Sequence, residues 1–137
     1  MKRYVVDTGP LVALLNATDA HHAWAKTTFS RIEPPLVTCE AVIAEACFLT
    51  ARLDTGADKV MDLLSRKIVR VAFDLSAEHG AVRALMKRYV STTMSLADAC
   101  VVRMAELDGD ATVVTLDSDF TVYRRHRRQS IPLLIPR

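Results

Sequence analysis

Of the 16 acidic residues in this chain, most fall where solvated charges belong, and a small set does not. Asp7 ends an apolar run, Arg3-Tyr4-Val5-Val6, and a Gly9-Pro10 break follows at once. Glu45 is the lone charge in Ala41-Val42-Ile43-Ala44-Glu45-Ala46-Cys47-Phe48-Leu49, and its helical neighbours three and four residues away are all apolar. Asp98 follows a Ser in Ser95-Leu96-Ala97-Asp98, and Asp117 and Asp119 come directly after the β-forming run that ends at Thr115. Each has an ordinary explanation. Asp7 fits an Asx turn, Asp98 a capping box, one of Asp117 and Asp119 a cap on the next helical turn, and Glu45 a structural ion pair. Glu40, after Thr38, suits a helix N-terminus and its dipole. An unpaired carboxylate on an apolar surface is nevertheless costly, and several carboxylates in one cleft resist joint ionisation. A hard divalent cation removes both conflicts. All-oxygen ligands without paired His or Cys favour Mg²⁺ or Mn²⁺ over Zn²⁺, and such a site suits phosphoryl chemistry.

The elements that must position these acids follow from punctuation and periodicity. Strands are expected at Arg3–Val6, Leu36–Thr38, Ile68–Val71, Thr112–Thr115 and Ile131–Ile135. Helices are expected at Pro10–Leu15, Ala20–Ile32 after a cap at Thr18 or Asp19, Glu40–Leu53 closed by Gly56, Asp58–Arg66, a segment capped by Ser76 and ending near Tyr89, Ser95–Leu107, and a short Phe120–Arg124. Strands alternating with helices predict an α/β fold, a short parallel sheet of about four to five strands with helices on both faces. In such sheets ligands bind outside the carboxyl edge of the strands, where the winding reverses. Asp7, Asp98 and Asp117/Asp119 are each predicted at that edge, and Glu45 leans toward it.

The totals exclude several classes. A chain of 137 residues, half of it hydrophobic and a quarter charged, is expected to form one domain spanning 1–137, with four glycines and five prolines leaving no long linker. There is no repeat, low-complexity tract, membrane-spanning run or signal peptide, so a cytoplasmic protein is expected. Cys39, Cys47 and Cys100 read as reduced core thiols. The net charge of +2 is uninformative, but Arg124-Arg125-His126-Arg127-Arg128 is a dense basic cluster, and Arg83, Lys87 and Arg88 form a smaller one. Both suit a phosphate backbone, or simply a solvated surface.

Taken together, Asp7-Thr8, Glu45, Ser95-Leu96-Ala97-Asp98-Ala99 and Thr115-x-Asp117-x-Asp119-Phe120 resemble a PIN-domain nuclease, and the layout resembles VapC toxins of bacterial toxin–antitoxin pairs. Asp19-x-His21-His22-x-x-Ala25 is part of the likeness, with a structural role. The resemblance covers nearly the whole chain and implies a Mg²⁺- or Mn²⁺-dependent endoribonuclease, usually a homodimer, held in check by a VapB-like antitoxin and acting on structured RNA such as tRNA or ribosomal RNA. On this reading Asp7, Asp98 and Asp117 are metal ligands, Asp119 supports the metal or a second ion, and Glu45 holds or deprotonates the attacking water. Thr8 and Thr115 orient carboxylates or waters. Water activated by the metal would leave 5′-phosphate and 3′-hydroxyl ends. Arg124, Arg125, Arg127 and Arg128 would flank the mouth of the site and hold the RNA backbone. Two rivals are a receiver-like Mg²⁺-dependent phosphorylation switch with Asp74 as acceptor, and a PIN-like module that grips RNA or protein without cutting. The switch lacks a second acid at strand one and a late lysine. A pure RNA binder gains nothing from clustered negative charge.

Overall fold

A computed structural model describes residues 2–137. Its sheet has five parallel strands in the order β3-β2-β1-β4-β7, formed by β1 (Arg3–Val6), β2 (Leu36–Thr38), β3 (Val69–Val71), β4 (Ala111–Val114) and β7 (Leu133–Leu134). Six helices flank it: α1 (Thr8–Leu15), α2 (His22–Arg31), α3 (Glu40–Leu49), α4 (Gly56–Ser65), α5 (Leu75–Arg88) and α6 (Leu96–Leu107). No helix among the described residues is long and apolar enough to cross a membrane.

The strands are short because only their apolar pairs need cover. Val5, Val6, Val113 and Val114 are buried in the middle of the sheet, where β1 and β4 run in register from Arg3 opposite Ala111 to Val6 opposite Val114. The winding goes outward through β2 and β3 on one side of β1, then crosses to β4 on the other. The carboxyl end of β1 is therefore the reversal point, and Asp7 is its next residue. The Asp7 backbone N–H donates to the Val114 carbonyl at 2.9 Å, extending the ladder by one residue and fixing the side chain against β4.

Helix α6 is buried on nearly every side through Ala97, Ala99, Cys100, Val101, Val102, Met104 and Ala105, as a helix at the centre of a layered fold must be. Its far end is marked by the pair Arg3–Asp108 at 3.5 Å, which joins the start of β1 to the residue after α6. So α6 runs from the carboxyl edge of the sheet back to the amino edge. At the start of α2, the Asp19 carboxylate accepts from the His21 N–H, and the His22 ring Nδ1 lies 2.8 Å from the Ala13 carbonyl. This segment fastens α2 to α1.

Several boundaries differ from expectation for identifiable reasons. The expected helix Glu40–Leu53 stops at Leu49, where Thr50 turns its hydroxyl back to the Ala46 carbonyl. Gly56 opens α4 and does not close α3. A Cβ there would lie 2.0 Å from the Thr50 carbonyl oxygen, so the glycine permits the close approach of the two helix ends. Helix α5 is capped by Asp74, whose carboxylate accepts from the Ala77 N–H, and not by Ser76. The expected helix Phe120–Arg124 is a 3₁₀ turn, Ser118–Thr121. It leads into an unforeseen hairpin, β5 (Arg124–Arg125) with β6 (Gln129–Ser130). The three cysteines are free, with Cys39 and Cys100 buried.

Candidate active site

The structure brings the five singled-out acids to one edge of the sheet. Asp7 is 5% exposed, and beyond the adjacent Thr8 N–H its carboxylate makes no capping hydrogen bond into α1, so a turn cap alone does not account for its burial. Its Oδ2 accepts from the Thr115 hydroxyl at 2.8 Å, and the same Thr115 Oγ1 accepts from the Asp117 N–H at 3.0 Å. One hydroxyl thus links the ends of β1 and β4 and sets the orientation of both acids. Burial pushes the Asp7 carboxyl from its ordinary 3.8 up to about 6. The Thr115 hydroxyl and Thr8 N–H oppose the rise, and the charges of Asp98 and Asp117 add to it.

Asp98 is half-buried in the first turn of α6. The capping box foreseen from Ser95 is present: the Ser95 hydroxyl accepts from the Asp98 N–H at 3.0 Å, and the Asp98 carboxylate accepts from the Ser95 N–H at 3.4 Å. The same carboxylate oxygen accepts from the Tyr123 hydroxyl at 3.0 Å. Burial raises the Asp98 pKa despite these bonds, and Asp117 raises it further. Tyr123 is fully buried and edge-on to both Tyr89 and Phe120. Its hydroxyl is held protonated by burial and by Asp98, so it acts at the site as a fixed donor. Sequence reasoning missed this residue, because a tyrosine beside an arginine run carries no sign of where its hydroxyl points.

Asp117 caps the 3₁₀ turn by accepting from the Asp119 N–H at 2.8 Å. Asp119 is half-buried, and its negative charge reaches Tyr123 along with those of Asp98 and Asp117. Glu45 comes to the edge from α3, where its Oε1 accepts from the Thr8 hydroxyl at 2.8 Å. Asp7 and Glu45 are thereby held by adjacent links, the first through Thr115 and the second through Thr8.

None of these five carboxylates takes part in a salt bridge among the described residues; Arg3, Arg66 and Arg103 pair elsewhere, with Asp108, Asp62, Glu78 and Glu106. Among the described residues Glu45 has no ion-pair partner. Clustered acids without a salt-bridge partner, Asp7 and Asp98 among them with raised pKa values, fit a hard divalent ion in their donor chemistry. No three His, Cys, Asp or Glu side chains among the described residues close into a ready coordination shell.

The basic cluster is not gathered at these acids. The Arg124 guanidinium is spent on the carbonyls of Thr121, Val122 and Tyr123. Arg125 donates to the Gly109 carbonyl, in the turn before β4, at the amino edge of the sheet. Arg127 and Arg128 lie exposed at and beside the hairpin tip, which is fastened to Glu106 near the far end of α6. β5 leads Arg125, Arg127 and Arg128 along α6 toward its far end, while Arg124 stays beside the 3₁₀ turn that carries Asp119.

With this geometry in place, comparisons with known proteins define the class. The sequence model of the PIN domain matches residues 4–125, and the chain belongs to the PIN domain family. Among solved structures it is similar to Mycobacterium tuberculosis VapC20, described as a sarcin–ricin loop cleaving toxin. The likeness covers 87% of this chain and 93% of that one, at 25% identity and a TM-score of 0.76. No curated protein matches the sequence.

Proposed function

We propose that this chain is a Mg²⁺- or Mn²⁺-dependent endoribonuclease, the toxin of a VapBC-type toxin–antitoxin pair, that hydrolyses RNA phosphodiester bonds with water as the nucleophile. The observation that carries the reading is the set Asp7, Glu45, Asp98, Asp117 and Asp119 on one sheet edge, none of them in a salt bridge among the described residues. PIN membership and the likeness to VapC20 support it.

Asp7, Asp98, Asp117 and Asp119 would hold the cation, which when bound withdraws charge from the scissile phosphate and acidifies water. The protein's own work is positioning. Thr115 fixes Asp7, Tyr123 and Ser95 fix Asp98, and Thr8 aims Glu45, which takes a proton from the attacking water. Attack by water, and not by the RNA's 2′-hydroxyl, leaves 5′-phosphate and 3′-hydroxyl ends. The substrate class is a structured RNA with an accessible loop. The partners are a VapB-like antitoxin and, within a cytoplasmic homodimer, a second copy. The exposed Phe48 and Leu49 of α3 and Met61 of α4 offer an apolar face for that copy. Asp74 is used as a helix cap and a PIN fold is established, so nothing favours the phosphorylation switch.

The test is purified protein with defined RNAs, with and without Mg²⁺ or Mn²⁺, beside an Asp98→Asn control. Cleavage that needs the cation and the carboxylate is expected. Cleavage surviving in EDTA, or undiminished in Asp98→Asn, sinks the reading, and failure to bind Mn²⁺ would favour a non-catalytic module.

A further inference from the structure

The hairpin tip does something other than line the mouth. His126 and Arg127 both sit in the left-handed region, at φ 50° and 69°. Neither is glycine, and two successive residues in that region are costly unless the surroundings impose it. Here Glu106 imposes it. Its Oε2 accepts from the His126 N–H at 2.8 Å, its carbonyl oxygen lies 3.1 Å from His126 Nε2, and its Oε1 accepts from Arg103. With both carboxylate oxygens engaged and Arg103 beside it, Glu106 is electrically spent.

The tip so held forms one wall of an open cleft of about 230 Å³, with Arg127, His126 and Glu106 on one side and Ala81, Ala84 and Arg88 of α5 on the other. Arg88 and Arg127 are exposed and make no salt bridge or side-chain hydrogen bond among the described residues. Two alanines one turn apart leave room for a ligand to approach the helix between the guanidinium groups. The one ring lining the cleft, the His126 imidazole, is turned to the Glu106 carbonyl, and no Phe, Tyr or Trp offers a stacking platform. What remains is chemistry for a phosphate.

We propose that Arg88 and Arg127 seat a backbone phosphate of the RNA at a distance from the cut. The inference rests on the nuclease reading for its ligand. Asp98 and Glu106 are eight residues apart on α6, or about 12 Å along the helix axis. At about 3.4 Å per stacked nucleotide the Arg127 end of the seat lies about three or four nucleotides from the acids. The substrate is therefore an RNA with an ordered strand beside its cleavage point, and a very short oligonucleotide cannot reach both places.

Binding of labelled RNA by the whole chain, followed in EDTA over a salt series, tests this. A stem-loop and a trinucleotide are compared. For the native protein the slope of log affinity against log salt is steeper for the stem-loop by about 0.7 to 0.9 for each arginine engaged. In Arg88→Ala/Arg127→Ala the two slopes converge, and in Arg88→Lys/Arg127→Lys, which keeps the charge, they separate again. Circular dichroism melts report whether the alanine variant folds, and the lysine variant carries the test if it does not. An unchanged stem-loop slope in the alanine variant, or a lysine variant whose two slopes coincide, overturns the proposal. So does retention of a poly-glutamate peptide as strongly as RNA, which would assign the cleft to an acidic protein segment. A native protein that shows the slope difference but cuts no RNA in Mn²⁺ would refute the nuclease reading and leave the phosphate seat standing.

Discussion

Asp7→Asn removes a charge with little change of shape, and the structure sets what that does to stability. Asp7 is buried, and its carboxyl is pushed from 3.8 to about 6. That rise corresponds to about 3 kcal/mol of disfavour for the ionised form in the fold. A raised carboxyl pKa means that the folded chain binds the proton more tightly than the unfolded chain. Asp7's contribution is therefore fully present below about pH 4 and is lost as pH rises through about 6. Asparagine does not titrate. In EDTA, the stability of Asp7→Asn relative to the parent should rise by about 3 kcal/mol between pH 3.5 and pH 7.5. For a domain of this size that is a relative shift in melting temperature on the order of 10 °C. Any penalty from fitting the amide beside Thr115 is the same at both pH values and cancels in the difference. Coupling to Asp98 and Asp117 spreads the titration over the group without changing its sign. Urea unfolding at a series of pH values measures it. A stability difference that stays flat across the series would refute the argument, because Asp7 would then ionise in the fold as easily as in water. Mn²⁺ at pH 7.5 should stabilise the parent and leave the variant nearly unmoved.

Other outcomes follow from single contacts. Tyr123→Phe deletes the hydroxyl that holds Asp98 down, so the Asp98 pKa should climb further in a carboxyl ¹³C titration, with about 1 kcal/mol of stability lost. Glu45→Gln keeps an acceptor for the Thr8 hydroxyl and removes the proton acceptor. Its melting temperature should stay near the parent's while RNA cleavage falls by about 10²- to 10⁴-fold. Gly56→Ala drives a Cβ into the Thr50 carbonyl and should lower the urea midpoint by the equivalent of about 2 kcal/mol or more.

Asp7 and Glu45 were legible because each breaks a local rule, and Asp98 and Asp117 because they fall at the same predicted edge. A carboxylate closing Tyr4-Val5-Val6, or alone among alanines and valines at Glu45, stands out from its neighbours, and a parallel sheet gives such residues one edge to share. Thr8 and Thr115 were legible as candidates through adjacency to those acids, though their partners were not. Strand β2 was readable between Pro35 and Glu40 from its apolar content. The hairpin was not, because Arg124-Arg125 and Gln129-Ser130 carry no strand pattern. They pair through backbone groups while Glu106, eighteen residues or more away in sequence, holds the turn. Tyr123 and Gly56 failed for a common reason. The role of each is set by a contact from another element, with Asp98 for one and Thr50 for the other, and no window of local sequence contains both partners.

The capping box at Ser95 and Asp98 has an evolutionary consequence. A side chain that serves only chemistry can drift once selection for activity relaxes, leaving a folded, inert descendant. Asp98 is not free in that way. Its loss removes an acid, loosens the start of the most buried helix and strands the hydroxyl of a fully buried tyrosine. On the nuclease reading, a change at this position is selected against for stability as well as for function. On that same reading, the accessible path to an inert relative runs through Glu45 or Asp119, neither of which caps an α-helix.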